Sequence, residues 1–167
     1  MTIEDQYTHA KNTLSGRLFA PYQREGVLWM LTMENQTSGP KGGFLCDEMG
    51  LGKTVQLVAT MLGNPKPRTL IIVPKSIITQ WVEEINRFAP HLTINIFDGP
   101  ERRIQEADVT LAPYTLLTTK GGSVDSKTPL HMLQWDRVIL DEAHEIRNKK
   151  SKLFKSVCRL QTQIKWI

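Results

Sequence analysis

The stretch "GGFLCDEMGLGKTVQL" at 42–57 reads as an apolar run, a glycine turn and the opening of a helix, and the reading of that turn decides the fold. The general phosphate-loop pattern is Gly, four free positions, then Gly-Lys-Ser/Thr, and here Asp47 stands where the first glycine belongs. The chemistry that the pattern serves is nonetheless present. Gly50 and Gly52 let backbone N–H groups approach phosphate oxygens, Lys53 reaches the terminal phosphates, and Thr54 supplies a hydroxyl for magnesium at a helix N-terminus. Glycine-rich strand-to-helix turns also arise for backbone reasons alone, so the assignment needs a second constellation.

That constellation is "VILDEAHEIRN" at 138–148. The unbroken apolar run "RVIL" suits a parallel strand covered on both faces, and it ends on two carboxylates, Asp141 and Glu142. Ligands of open α/β sheets bind at the carboxyl ends of strands. There Asp141 would hold a magnesium ion through its water shell and Glu142 would polarise an attacking water, the two roles that hydrolytic phosphoryl transfer requires. The plainer reading of the pair is a cap on a following helix.

Working outward, the pattern alternates strands and helices. Pro21 suits the first turn of a helix through "PYQREGVLWMLTMEN", and "QTSGPKGG" closes it. "GFLC" predicts a strand, and Val55, Val58, Ala59 and Leu62 share one helical face ending near Gly63. "TLIIVP" predicts a buried strand, and "SIITQWVEEINRF" puts Ile78, Trp81, Val82 and Ile85 on one stripe. "LTINIF" and "DVTLA" predict further strands, with a short helix at "ERRIQE" between them and a turn-rich loop, "TTKGGSVDSKTP", after them. "SKLFKSVCRL" offers Leu153, Val157 and Leu160 for a last helix before a strand at "QIKWI". The order predicts an α/β fold with a doubly wound parallel sheet. Residues 1–40 form an N-terminal segment carrying the first of these helices, and 41–167 form the lobe proper.

Composition sets broader bounds. The 167 residues, 40% of them apolar, suffice for one domain with a sizeable core. A formal charge of +4 favours an acidic polymer as partner without requiring one. Cys46 and Cys158 form no CxxC or Cys/His pattern, which predicts reduced thiols and no structural metal. No apolar run approaches the roughly 18 residues that suggest a membrane span, and the first residues lack the pattern of a signal peptide. These features predict a soluble intracellular protein without a membrane partner.

The ordered series "PYQREGVLWM", "DEMGLGKT", "LIIVPKSIITQWVEEINRF" and "LDEAHEIRN" resembles the first RecA-like lobe of the SWI/SNF-type DNA-dependent ATPases of helicase superfamily two, over nearly all of 18–167. In that family the first position of the phosphate loop is commonly Asp, so Asp47 becomes a family mark. The resemblance implies a three-layer P-loop domain that binds ATP and magnesium. In it Gln23 reads the adenine edge, and Gly50, Leu51, Gly52, Lys53 and Thr54 hold the phosphates, Thr54 also serving the magnesium. Lys53, Asp141 and Glu142 become the catalytic residues, with Asp141 at the metal, and His144 couples nucleotide state to the DNA side. It further implies that Lys75 and Ser76 touch the backbone of duplex DNA, a sequence-blind contact suited to a motor. Trp81 could serve as a base-stacking platform, but its place on the apolar stripe assigns it to the core.

The chain also departs from the family pattern. Pro113 precedes Tyr114 where the family has Thr-Tyr, which leaves Tyr114 as the implied nucleic-acid contact and Thr115 as a substitute hydroxyl. Glu145 stands where Arg is frequent, although "IRNKKSK" keeps the basic character. The family's next motif and its second lobe, which supplies an arginine finger, would follow Ile167, so this piece is expected to bind Mg-ATP weakly and to hydrolyse it poorly. The complete enzyme would be a DNA translocase that remodels chromatin or displaces bound protein, nuclear in a eukaryotic host. Two alternatives are an RNA-helicase lobe, which "DEMGLGKT" disfavours, and a nucleotide- or DNA-binding scaffold without motor activity.

Overall fold

Thr69–Val73 is a run of five buried residues, and it forms β2 near the middle of a wholly parallel sheet. The computed structural model describes residues 1–18, 20–46, 50–119, 121, 123 and 126–167. Among them the elements run α1 (Ile3–Thr13), α2 (Pro21–Asn35), β1 (Lys41–Gly43), α3 (Lys53–Gly63), β2 (Thr69–Val73), α4 (Ile78–Phe88), β3 (Ile94–Ile96), β4 (Val109–Pro113), β5 (Gln134–Leu140), α5 (Lys152–Cys158) and β6 (Gln161–Trp166). The six strands pair in the order β1-β6-β5-β2-β4-β3. Because successive strand side chains point to opposite faces, Ile71 and Val73 join one core with α1, α2, α3 and α4, while Leu70 and Ile72 join another with α5 and Leu117, Leu130 and Trp135. This is the expected α/β architecture of helices on both faces of a parallel sheet. All strands point the same way, so the loops after β1, β2, β4 and β5 open on one edge.

Four local features differ from the sequence expectations. The first is α1, which Thr2 caps in both directions: Thr2 Oγ1 accepts the Asp5 N–H at 3.1 Å, and the Thr2 N–H donates to Asp5 Oδ2 at 2.9 Å. Its inner face is Ile3, Tyr7, Ala10 and Leu14, a 4-3-4 spacing that was legible beforehand. The second is β1, which occupies "KGG" and not "GFLC". Two glycines have no strand preference of their own, but a Cβ at Gly42 (φ 106°) would lie 1.9 Å from the Lys165 carbonyl oxygen, so only glycine permits this approach to β6. Pairing then continues beyond β1 as the Leu45 N–H donates to the Ile167 carbonyl at 2.8 Å.

Third, "ERRIQE" forms no helix. It offers Ile104 alone for burial, too little to offset helix nucleation. Fourth, the segment expected to start a helix at Ser76 begins instead as a 3₁₀ turn, Lys75–Ile77, and becomes α-helical only at Ile78. Part of the predicted loop at 118–129 lies outside the described residues.

Two of the buried polar clusters among the described residues bear on stability. In the first, the Arg137 guanidinium of β5 forms a two-pronged pair with Glu34 of α2 (2.6 and 2.5 Å), and Trp166 Nε1 and Asn64 Nδ2 donate to the same carboxylate at 2.9 and 2.7 Å.

In the second, His131 is 2% exposed, and its Nδ1 accepts the Thr128 N–H at 3.1 Å. Nε2 is therefore the protonated nitrogen in the neutral ring, donating to the Ser156 carbonyl at 3.0 Å. Burial, together with Arg159 and Lys127, holds the ring's pKa below its ordinary 6.5, against a smaller opposing effect of the Ser156 carbonyl. The unfolded chain thus binds a proton at a higher pH than the folded one. This contribution to stability is fully present above pH 6.5 and declines as pH falls toward the folded value. Urea midpoints are expected to drop between about pH 7 and 5, and His131→Gln should flatten that part of the profile.

Candidate nucleotide site

The loop after β1 turns into α3 through Gly52, which adopts φ 78° as the N-cap. A Cβ on Gly52 would lie 2.5 Å from Gln23 Nε2, so glycine is required there both by the left-handed backbone and by the close approach of α2. Gln23, 5% exposed, donates from Nε2 to the Leu51 carbonyl at 3.1 Å and accepts the Ala20 N–H at 3.3 Å. The Tyr22 hydroxyl donates to the same carbonyl at 3.1 Å. Two adjacent side chains of α2 thus pin the glycine turn, a role for Tyr22 that the sequence did not disclose. Asp47, Glu48 and Met49 lie outside the described residues, and the family mark at Asp47 with them.

Across the edge of the sheet, the Asp141 N–H donates to the Ile72 carbonyl at 3.0 Å, carrying the pairing of β5 with β2 one residue past the strand. The Asp141 carboxylate is held at both oxygens. Oδ2 accepts the indole N–H of Trp81 at 2.7 Å, and Oδ1 accepts the Glu142 backbone N–H at 2.9 Å. Glu142 itself sits at φ 53°, the one non-glycine residue with positive φ among those described. Such a backbone costs on the order of 1–3 kcal/mol and is a pointer to function when found at a cleft. His144 follows at the surface, its Nδ1 3.1 Å from Glu142 Oε2.

These pieces meet in one cavity of ≈ 570 Å³, whose walls include Gln23, Lys53, Thr54, Trp81, Asp141 and Glu142. A second hollow of ≈ 570 Å³ shares Lys53, Asp141 and Glu142 but is otherwise largely apolar, walled by Phe44, Ile146, Phe154 and Trp166. The first fits a nucleotide with its metal. The N-terminus of α3 faces it with a glycine N-cap that carries no capping side chain, so its backbone N–H groups suit an anion. The Lys53 ammonium, the Thr54 hydroxyl and the Asp141 and Glu142 carboxylates stand around the same space, which Arg17, Arg87 and Glu84 also line.

The residues expected at a nucleic acid divide into two groups. Lys75 and Ser76 are exposed on the turn after β2, with Lys75 Nζ 3.0 Å from Asp98 Oδ2. Tyr114, in contrast, is a correction: it is 3% exposed, and its hydroxyl donates inward to the Asp141 carbonyl at 2.8 Å. Burial, reinforced by the Asp141 carboxylate, pushes the phenol's pKa up, so it remains the donor. The 3₁₀ turn that starts at Tyr114 folds its ring into the core under β5, and the side chain braces the Asp141 loop in place of reaching outward. Trp81, as expected, is in the core at 2% exposure. Its polar edge on Asp141 was not legible in a stripe of apolar positions.

Comparison with known proteins bears on the family and the fold. A family model described as the SNF2-related domain matches residues 22–167. The chain is 36% identical over 162 residues to the ATP-dependent helicase rhp16 of Schizosaccharomyces pombe, covering 85% of this chain and 18% of that protein. It is 34% identical over 169 residues to the ISWI chromatin-remodeling complex ATPase ISW1 of Saccharomyces cerevisiae, covering 91% and 14%. The solved Sulfolobus solfataricus SWI2/SNF2 ATPase core in complex with dsDNA superposes with a TM-score of 0.79 at 32% identity, covering 92% of this chain and 32% of that one. The chain thus spans less than a fifth of these two relatives.

Proposed function

Because this chain belongs to the family of SNF2-related domains, we propose that it is the ATP-binding lobe of a DNA-dependent ATPase that moves on duplex DNA to remodel chromatin or displace bound protein. In this reading residues 1–40 bring the base-reading helix and 41–167 form the nucleotide lobe. The observation that carries it is the single cavity in which Lys53 and Thr54, opening α3, share walls with Asp141 and Glu142, ending β5. The backbone of the glycine turn at Gly50, Leu51 and Gly52 and the Lys53 ammonium bind phosphate oxygens, Thr54 and Asp141 hold Mg²⁺, and Gln23 reads the base. The bound Mg-ATP supplies the phosphoryl group and the cation that offsets charge on its oxygens. Glu142 orients a water and accepts its proton at a carboxylate oxygen. His144, touching Glu142, relays the state of that carboxylate toward the surface.

Lys75 and Ser76 supply the contact to the nucleic-acid backbone, where interaction is electrostatic and sequence-blind. A second lobe in the full-length protein would close the other side of the nucleotide, and lobe opening and closing would advance the DNA contacts. No described helix is long and apolar enough to cross a membrane, and in a eukaryotic host the place of action would be the nucleus.

The test is Mg-ATP binding by this chain, together with steady-state hydrolysis by the full-length protein in the presence of duplex DNA, single-stranded DNA or RNA at one fixed salt concentration. Lys53→Ala should weaken Mg-ATP binding roughly 10- to 100-fold, the value of hydrogen bonds to a charged group, and should abolish hydrolysis stimulated by duplex DNA. Stimulation by RNA alone would replace this reading with an RNA helicase. An unchanged affinity in Lys53→Ala would leave only a scaffold.

A further inference from the structure

Trp81 lies on the buried stripe of α4 with Ile78, Ile85 and Phe88, and packing alone accounts for a large apolar ring there. Packing does not account for the acceptor of its N–H. A buried indole ordinarily finds some partner; Trp135 takes the Leu130 carbonyl at 2.8 Å and Trp166 the Glu34 carboxylate at 2.9 Å, both acceptors inside the core. Trp81 instead donates at 2.7 Å to Asp141 Oδ2, a side-chain oxygen on the wall of the nucleotide cavity. The other oxygen, Oδ1, takes the backbone N–H of Glu142 at 2.9 Å, and the Asp141 peptide is fixed by Ile72 on one side and the Tyr114 hydroxyl on the other.

We propose that Trp81 is a positioning residue for the metal-binding carboxylate of Asp141. The inference rests on Asp141 being a magnesium residue. The terminal torsion of an aspartate is broad and close to two-fold, so backbone anchoring alone leaves the carboxylate plane loosely defined. One N–H at each oxygen removes that freedom. Each oxygen has two lone pairs, so one remains on each for the cation's water shell. The indole reaches Asp141 from a different element, packed rigidly against the sheet, and needs no adjustment when the cation arrives. Partners of this kind around metal-binding side chains typically contribute about 10- to 100-fold in metal affinity.

Trp81→Phe retains most of the buried ring and deletes only the donor. The probe is a fluorescent ATP analogue bound to this chain, titrated with Mg²⁺ and compared with the same analogue in metal-free buffer, with Asp141→Asn alongside. Trp81→Phe is expected to raise the Mg²⁺ concentration for half-maximal enhancement by about 10-fold or more, while metal-free affinity stays at the parent value. A merely structural role would weaken both arms together, and that result overturns the proposal. So does an unmoved Mg²⁺ midpoint in Trp81→Phe when Asp141→Asn shifts it. If Asp141→Asn leaves the midpoint in place, the magnesium assignment of Asp141 itself has failed. Should Trp81→Phe not fold, the Trp81 indole N–H resonance of the ¹⁵N-labelled parent decides. It is expected to move when Mg²⁺ is added to the nucleotide complex, and an unmoved resonance overturns the proposal.

Discussion

Glu34→Ala is expected to cost about 3–5 kcal/mol of folding stability, the range for breaking a buried ion pair from one side. The Arg137 guanidinium, 1% exposed in the parent, would have its charge unanswered, retaining among the described residues only the Asn64 carbonyl at 2.7 Å and the Thr69 hydroxyl at 3.4 Å. Trp166 Nε1 and Asn64 Nδ2 would lose the carboxylate as well. One residue thus supports the end of α2, the end of α3 and strands β5 and β6 together. For a chain of this size each kcal/mol moves the melting temperature by roughly 2–4 °C, so a fall on the order of 6–20 °C is expected by calorimetry or circular dichroism. Replacing both partners with apolar residues of similar volume, Glu34→Leu with Arg137→Met, should lose much less, because no buried charge is then left alone. Equal losses in the single and double variants would show that shape, and not charge, governs this site.

Glu142→Gln is expected to lower ATP turnover by the full-length protein on duplex DNA by about 10²–10⁴-fold, the usual contribution of a positioned general base. Mg-ATP affinity should stay near the parent value. The amide matches the carboxylate in shape and keeps an acceptor for His144, which lies 3.1 Å away. It therefore leaves the φ 53° backbone undisturbed while removing the proposed proton acceptor. Binding is measured at equilibrium with the nucleotide analogue, and turnover by phosphate release. Retention of turnover within about tenfold would assign the water elsewhere.

The glycine turn at 50–54 and the carboxylate pair Asp141–Glu142 were legible as candidates because the chemistry proposed for them demands particular residue types at fixed local spacing. The same holds for α2, whose observed bounds Pro21–Asn35 coincide with its sequence signals, and for β2, an unbroken buried run. The placement of β1 and the roles of Tyr114 and Trp81 were illegible because each depends on a partner far along the chain. β1 exists because Gly42 admits the Lys165 carbonyl. Tyr114 turns inward because the Asp141 carbonyl lies beneath it, and Trp81 acquires a polar task because α4 brings its ring edge to β5.

The sequence by itself determined the order of strands and helices from α2 to β6, apart from the absent helix at "ERRIQE", together with the family and the candidate residues of the glycine turn, since these follow from periodicity and local motif. Tertiary structure alone decided the strand order, the pairing of Glu34 with Arg137 across 103 positions, and the anchoring of Asp141 by an indole 60 positions away. A hydrogen bond requires its donor and acceptor to meet within about 3 Å, and no local pattern records which distant residues the packing of layers will bring that close.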